Sequence, residues 1–85
     1  MNVVFSPVAR KALRSLPNRD AEALIARLKA IAADPVGLGS RRHPNVKDFG
    51  DGLFRARHGD WRAIFTLDET TLTVLKIGHR REIYR

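Results

Sequence analysis

The last nine residues of the chain hold the densest group of side chains that bind phosphate or move protons. The segment reads Ile77-Gly78-His79-Arg80-Arg81-Glu82-Ile83-Tyr84-Arg85, with one imidazole, three guanidinium groups and the single tyrosine of the protein. Imidazole exchanges protons near neutral pH, and guanidinium binds phosphate through forked hydrogen bonds. This composition predicts that the C-terminal segment takes part in chemistry on a phosphate-bearing substrate.

Three predicted strands precede that segment. Leu53–His58, Trp61–Leu67 and Leu72–Ile77 alternate between polar and apolar residues, as expected for half-buried strands. Gly59-Asp60 suits a two-residue hairpin turn with glycine at the first central position, and Asp68-Glu69-Thr70 suits the next turn. The three segments therefore predict an antiparallel meander.

The first turn fixes which residues of the hairpin share a face. It places Arg57 opposite Arg62 and Arg55 opposite Ile64, and cross-strand partners lie on one side of a sheet. The arginines therefore occupy one face, and the face predicted to pack on helices carries Phe54, Ala56, Trp61, Ala63 and Phe65. Opposed arginines are destabilising unless a negative group lies over them. The pattern favours a phosphate site; the alternative is neutralisation by carboxylates such as Asp51 or Glu82.

Together the hairpin and the tail have the groups for RNA cleavage without a metal. We expect Leu72–Ile77 to pair beside Trp61–Leu67, with a bend or bulge at Gly78. This pairing would bring the residues after Gly78 to the arginine face. His79 can then act as acid or base, and surrounding positive charge favours the phenolate of Tyr84 as a base. Arg80 stabilises charge, because guanidinium holds its proton too tightly to donate it. The alternative is structural: a terminal tyrosine packing at a sheet edge and a surface histidine.

The whole chain is short and strongly basic. It has 85 residues and a formal charge of +7, and twelve of its sixteen basic residues are arginine. This bias favours a polyanionic partner. The absence of cysteine fits a reducing cytosol, and no apolar run approaches the ~20 residues that span a bilayer. We therefore expect a cytoplasmic protein with no membrane partner.

The first half of the chain predicts a strand and two helices. Residues 1–5 read as a strand, and Ser6-Pro7 as a helix start, with Val8, Ala12, Leu13 and Leu16 on the buried face. A second amphipathic helix is expected from a cap at Asn18 to Asp34-Pro35. Residues 35–51 read as a loop with room for a short extended piece around Val46. The prediction is a single α+β domain, 1–85: an N-terminal strand, a helical hairpin and a three-stranded antiparallel meander forming one sheet packed on two helices.

Further basic residues flank the predicted site. Additional contacts to RNA are expected from the loop and the tail: Arg41, Arg42, Lys47 and Arg81. His43 lies beside that basic run and is a further candidate. Asp48 and Asp51 lie in a glycine-rich stretch without the histidine spacing of a hydrolytic metal site, so we expect no metal and no other cofactor.

Several segments resemble the RelE branch of the RelE/ParE superfamily of bacterial toxins. The similarity rests on three stretches: Val4-Phe5-Ser6-Pro7, Asp51 to Phe65 across the hairpin, and Gly78 to Tyr84. The resemblance implies the toxin of a type II toxin–antitoxin pair that enters the ribosomal A site and cuts mRNA without a metal. It implies phosphate-binding or transition-state roles for Arg55, Arg57 and Arg62, and catalytic roles for Arg80 and Tyr84. Arginines stand where the best-known relative has hairpin lysines, which leaves proton transfer to His79 or Tyr84.

The same resemblance implies binding partners for the protein and leaves two alternative functions open. The expected partners are a cognate antitoxin, the ribosome with its mRNA, and operator DNA only through the antitoxin complex. A ParE-like inhibitor of DNA gyrase would share the fold without cutting RNA. A non-catalytic relative that binds RNA or the ribosome would keep the charge without the reaction. Replacing Tyr84 by Phe separates a nuclease from a gyrase inhibitor, because it removes proton transfer and keeps most of the packing.

Overall fold

One mixed sheet with two helices on one of its faces organises residues 1–38 and 43–83, which the structure, a computed structural model, describes. The elements in chain order are β1 (Asn2–Phe5), α1 (Pro7–Ser15), α2 (Asn18–Ala33), a 3-10 turn (Pro35–Gly37), β2 (Val46–Gly50), β3 (Leu53–His58), β4 (Trp61–Leu67) and β5 (Thr71–His79). The strand order is β1-β5-β4-β3-β2, with β1 parallel to β5 and the other pairs antiparallel. The predicted α+β class is confirmed, and the piece around Val46 is a full strand at the sheet edge.

The start of α1 follows from its first residues. The Ser6 hydroxyl accepts the N–H of Ala9 at 3.0 Å and donates to the carbonyl of Leu75 at 2.7 Å. It therefore caps the helix and ties it to β5. The buried stripe begins at Ala9, whereas Val8 is 65% exposed, so its predicted burial was wrong. Helical spacing explains the difference, because positions 12, 13 and 16 lie three, four and seven residues after Ala9.

The second helix begins one position earlier than expected. Pro17 occupies the cap position and Asn18 is already helical, with no side-chain hydrogen bond at the cap. The prediction that Asn18 caps α2 was therefore wrong. The helix ends at Ala33, before Asp34-Pro35, as expected. No helix of residues 1–38 and 43–83 is long and apolar enough to cross a membrane.

The core lies between the helices and one face of the sheet. Its fully enclosed members from the helices are Ala9, Leu24, Leu28 and Ile31, and those from the sheet are Ala56, Ala63, Phe65, Leu72 and Val74. Phe54 and Trp61 are partly buried against this cluster. The predicted helix-facing side of the hairpin is therefore confirmed.

The β3–β4 hairpin has the predicted register. Arg57 pairs with Arg62 and Arg55 with Ile64 across the turn. Gly59 has a φ of +55°, a left-handed conformation that glycine adopts without steric cost. The turn chemistry thus fixes the face on which the arginines lie.

Candidate functional site

The face of the sheet turned away from the helices carries rows of basic residues. Ala56 and Ala63 point into the core, and successive side chains of a strand alternate between faces. Arg55, Arg57 and Arg62 therefore lie on the opposite side, which we call the open face. The open face is where the predicted phosphate-binding arginines are brought together.

Two cross-strand rows make up the centre of the open face. In the first row, Cα partners run from Lys47 on β2 through Arg55 and Ile64 to Lys76 on β5. The second row runs from Arg57 through Arg62 to Gly78. Residues two apart on a strand are about 7 Å apart, which sets the distance between the rows. Five cationic side chains thus share one surface that spans four strands.

The hydrogen bonds of these arginines differ. Arg57 donates from Nη2 to the side-chain oxygen of Asn45 at 3.1 Å. Arg62 donates from Nη1 to the carbonyl of Gly59 at 2.6 Å and to its neighbour Trp61 at 3.0 Å, so it also braces the hairpin turn. The Nε of Arg55 is enclosed and has no hydrogen-bond partner among the described residues. Such an enclosed donor is uncommon in folded proteins, and among the described residues Arg27 Nε is another.

Arg55 and Arg57 have no carboxylate partner in the described part of the chain. Within residues 1–38 and 43–83, neither Arg55 nor Arg57 forms an ion pair with Asp51, Glu82 or any other acid. Both candidate acids are exposed. The alternative of intramolecular neutralisation therefore finds no support at these two arginines.

The C-terminal turn is fastened to the end of the hairpin. The backbone N–H of Arg80 donates to the carbonyl of Asp60 at 2.7 Å, and Arg80 Nε lies 3.3 Å from the Asp60 carboxylate. The N–H groups of Glu82 and Ile83 both donate to the carbonyl of His79. Ile83 is 2% exposed. The tail thus turns back, and Arg80 is held next to the Gly59-Asp60 turn that Arg62 also contacts.

Gly78 does not form the bend or bulge that was expected. It lies inside β5, paired with Arg62, and is neither a bend nor a bulge. A methyl group at its Cα would meet Cδ1 of Ile83 at 3.2 Å and its Cα at 3.8 Å. The missing side chain therefore lets the C-terminal turn lie on the open face.

His79 is not brought to the arginines. It pairs with Trp61, and their rings meet edge to face with centroids 5.7 Å apart. Trp61 belongs to the helix-facing side, where its indole N–H donates to Asp20 of α2 at 3.2 Å. Because cross-strand partners share a face, the expectation that His79 reaches the arginine face was wrong. His79 instead holds the tail, since its Nδ1 accepts the N–H of Arg81 at 3.2 Å.

The remaining predicted residues are spread around this centre. Lys47 is exposed, with its ammonium 5.4 Å from the ring centroid of Phe49. Arg81 is exposed on the C-terminal turn. His43 is turned inward, with Nε2 2.9 Å from the carbonyl oxygen of Asp34 and a side chain only 11% exposed, which argues against contact with RNA. Three predicted residues lie outside the described part of the chain: Arg41, Arg42 and Tyr84.

Sequence reasoning missed the contacts by which Asp20 joins the β3–β4 hairpin to α2. Asp20, in the first turn of α2, accepts from Trp61 and lies 3.3 Å from Nε2 of His58. These contacts join α2 to both strands at the end where Arg62 and Arg80 lie. The only signal in the sequence is an acidic residue near a helix start, and such a residue commonly interacts with the helix dipole and with nothing else.

In the described part of the chain, no three His, Cys, Asp or Glu residues are grouped to hold a metal ion.

Comparison with known proteins gives consistent matches along the chain. The sequence model of the family described as "ParE toxin of type II toxin-antitoxin system, parDE" matches residues 3–84. Toxin RelG of Mycobacterium tuberculosis is 31% identical over 86 residues, covering 98% of this chain and 94% of that protein. The RelE–RelB complex of Pyrococcus horikoshii contains a chain with a TM-score of 0.77 and 26% identity, covering 95% of this chain and 96% of that one.

A second solved complex agrees with these matches. A chain of the RelBE2 toxin–antitoxin complex of M. tuberculosis has a TM-score of 0.70 and 27% identity, with 93% of this chain and 96% of that one covered. The fold, the family model and the curated relative therefore all indicate the same family of toxins. The chain belongs to the RelE/ParE superfamily and is a RelE-family toxin of a type II toxin–antitoxin system.

Proposed function

We propose that this toxin is a metal-independent, ribosome-dependent mRNA endonuclease that inhibits translation. The observation that carries the proposal is the arrangement of Arg55, Arg57 and Arg62 on the open face, with Arg80 fastened at the Gly59-Asp60 turn of the same hairpin. Like charges placed directly opposite each other cost stability, and a polyanion over this face would offset that cost. Similarity to RelG and to RelE chains supports the same conclusion.

In the proposed reaction, the 2′-hydroxyl of one nucleotide loses its proton and its oxygen attacks the adjacent phosphorus. The bond from phosphorus to the 5′-oxygen breaks, leaving a 2′,3′-cyclic phosphate, and the 5′-oxygen takes a proton from solvent water. Arg62 and Arg80 stabilise the extra negative charge of the phosphate in the transition state. Tyr84 follows the C-terminal turn and is our candidate for the base, since cations favour its phenolate. His79 acts as a positioning residue that holds this turn.

The requirement for a ribosome follows from the shape of the site. The open face binds backbone phosphate, yet attack requires the 2′-oxygen to lie in line with the bond that breaks. A flexible RNA on an open sheet rarely has that geometry, and a partner that fixes the strand supplies it. Ribosomal A-site mRNA is therefore our proposed substrate.

A cognate antitoxin is the second proposed partner. The similar RelE chain of Pyrococcus horikoshii was solved as a complex with RelB. A small protein with an acidic or amphipathic segment would match the open face in charge, and operator DNA would be contacted only through that complex. Binding of the antitoxin should strongly depend on salt concentration, because the basic rows are solvent-accessible.

A ParE-like action on DNA gyrase is the second candidate, because the matching family model is described as a ParE toxin. Induced expression in a bacterial host separates the two. A nuclease should stop protein synthesis within minutes, and Tyr84→Phe should restore growth. A gyrase inhibitor should stop DNA replication first, remain toxic as Tyr84→Phe, and inhibit purified gyrase in a supercoiling assay.

A further inference from the structure

Asp60, in the turn between β3 and β4, carries a carboxylate that the turn itself does not require. Gly59 supplies the positive φ of this turn, and Asp51 is the only non-glycine residue with a positive φ among residues 1–38 and 43–83. The backbone of Asp60 is therefore one that most residues can adopt. Its side chain needs another explanation.

Two other aspartates show what a carboxylate commonly does in a turn. Asp48 accepts the backbone N–H two residues further on at 2.7 Å, and Asp68 accepts those two and three residues further on at 2.9 and 2.7 Å. Such hydrogen bonds are the usual reason for aspartate in a turn. Within the described part of the chain, the Asp60 carboxylate accepts no backbone N–H, and its one polar contact is with Arg80.

The Gly59-Asp60 turn holds both arginines to which the proposed reaction assigns charge stabilisation. Arg80 is held at two points: its backbone N–H donates to the Asp60 carbonyl at 2.7 Å, and its Nε lies 3.3 Å from the Asp60 carboxylate. Arg62 Nη1 donates to the carbonyl of Gly59 at 2.6 Å. Successive Cα atoms are about 3.8 Å apart. Two neighbouring residues of one tight turn therefore contact both guanidinium groups.

The contact at Nε restrains Arg80 without covering the rest of its guanidinium group. Nη1 and Nη2 are the nitrogens that can bind two oxygens of one phosphate together. Among the described residues, neither of these nitrogens of Arg80 forms a hydrogen bond or an ion pair. The carboxylate thus fixes one edge of the planar group, and another edge is left for a phosphate.

Stability alone does not account for this ion pair. The side chains of Arg80 and Asp60 are 52% and 62% exposed. Exposed pairs add little to folding, because water screens the charges and two long side chains lose freedom. In catalysis that lost freedom is an advantage, since a cation that is oriented in advance needs no rearrangement when charge develops.

We propose that Asp60 is a positioning residue for Arg80: its carboxylate holds Nε so that Nη1 and Nη2 meet the phosphate of the RNA that is cut. The inference rests on the proposed endonuclease function and deepens it, because it adds a residue that touches no substrate atom. A carboxylate near the RNA also repels it. Asp60 should therefore raise the rate of cleavage without improving RNA binding.

The test compares Asp60→Ala and Asp60→Asn with the natural chain in two assays. One is single-turnover cleavage of mRNA on programmed ribosomes. The other is binding of a short RNA that carries 2′-O-methyl groups at every position and cannot be cut. Asp60→Ala should cleave about tenfold more slowly and bind the RNA equally or up to about threefold more tightly. Asp60→Asn keeps an acceptor for Nε and should recover most of the rate.

A residue that acts through Arg80 should have no effect where Arg80 is absent. Adding Asp60→Ala to Arg80→Ala should therefore leave the rate within about twofold of Arg80→Ala alone. A second readout is the NMR signal of the Arg80 Nε–Hε group, identified by its loss in Arg80→Ala. In the free protein this proton should exchange more slowly with water than those of exposed arginines, and the protection should disappear in Asp60→Ala.

The matched control is Glu69→Ala. Glu69 is an exposed acid in the turn at the other end of β4, and it forms no ion pair within the described residues. Its replacement makes the same change in net charge and should leave both the cleavage rate and the Arg80 signal unaltered. Thermal unfolding followed by circular dichroism should give nearly the same midpoint for both variants and the natural chain.

Equal cleavage rates for Asp60→Ala and Glu69→Ala would overturn the positioning role. A faster Asp60→Ala would also overturn it, and would identify the carboxylate as a competitor of phosphate. So would equal slowing by Asp60→Ala with and without Arg80. If the natural chain cuts no mRNA on ribosomes, the endonuclease is rejected, and the NMR signal of the free protein decides separately: loss of protection only in Asp60→Ala supports the positioning contact, and an unaltered signal rejects it.

Discussion

Arg57 and Arg62 lie directly opposite each other across the β3–β4 hairpin. Arg57 donates to the side-chain oxygen of Asn45, and Arg62 donates to the carbonyl of Gly59. Because opposed like charges weaken a strand pair, we expect a phosphate over the open face to stabilise the hairpin. This relationship connects the stability of the fold with its proposed ligand.

Arg57→Gln should separate stability from binding. Removing one of two opposed charges should leave the free energy of unfolding unchanged or raise it by up to about 0.5 kcal/mol. RNA affinity should fall, and the slope of log affinity against log salt should decrease by about one. Urea unfolding and anisotropy titrations at several salt concentrations measure both quantities. Arg10→Gln, on exposed α1, makes the same change in net charge and should leave the salt slope nearly unaltered.

Gly78→Ala should disturb the tail without unfolding the sheet. The new methyl group would lie 3.2 Å from Cδ1 of Ile83, a contact that a shift of the C-terminal turn relieves. We expect a loss of about 1 kcal/mol in stability from this overpacking and a larger loss of activity, since the turn leads into Tyr84. Ile83→Val removes the clashing Cδ1, so the double variant should recover activity relative to Gly78→Ala. An unaltered cleavage rate in Gly78→Ala would contradict this role of the tail.

Asp20→Ala should loosen the hairpin from α2. The carboxylate accepts the indole N–H of Trp61 at 3.2 Å and lies 3.3 Å from His58. Loss of both partners should cost about 1–2 kcal/mol of unfolding free energy, whereas Asp20→Asn, which keeps an acceptor, should cost less. Urea titration followed by the fluorescence of the single tryptophan reports this contact directly. Identical midpoints for all three proteins would show that the contact contributes nothing.

Asp68 should contribute to acid sensitivity. Backbone hydrogen bonds from Thr70 and Thr71, at 2.9 and 2.7 Å, lower the pKa of its carboxyl from the ordinary value. A carboxylate with a lowered folded-state pKa stabilises the fold above its unfolded pKa, and this contribution is lost as pH falls through the folded pKa. Melting temperatures from pH 6 to pH 2 should therefore fall more steeply for the natural chain than for Asp68→Asn. Parallel curves would contradict the assignment.

Local patterns were sufficient to predict the hairpin. Gly59-Asp60 determines the turn, and alternation from Phe54 to Phe65 then determines both faces, so the arginine pair follows directly. Strand β2 was underpredicted because it is an edge strand whose one bulge, at Phe49, interrupts the alternation.

The position of the tail required tertiary information. The face taken by His79 depends on a shift between Ile64 and Phe65 in the β4–β5 pairing, which alternation alone does not reveal. The return of the chain depends on Ile83 packing over Gly78, a contact between the C-terminal turn and β5. Sequence patterns therefore identified the tail as chemically important and misplaced its histidine.

The most direct test is primer extension on a defined mRNA with the purified toxin, with and without programmed ribosomes. We expect cuts only within ribosome-occupied codons, absent with Arg62→Ala and with Tyr84→Phe. Leu75→Ala should cut like the natural chain. Absence of cuts on ribosomes by a folded protein that still inhibits growth would contradict the endonuclease and favour an action on gyrase.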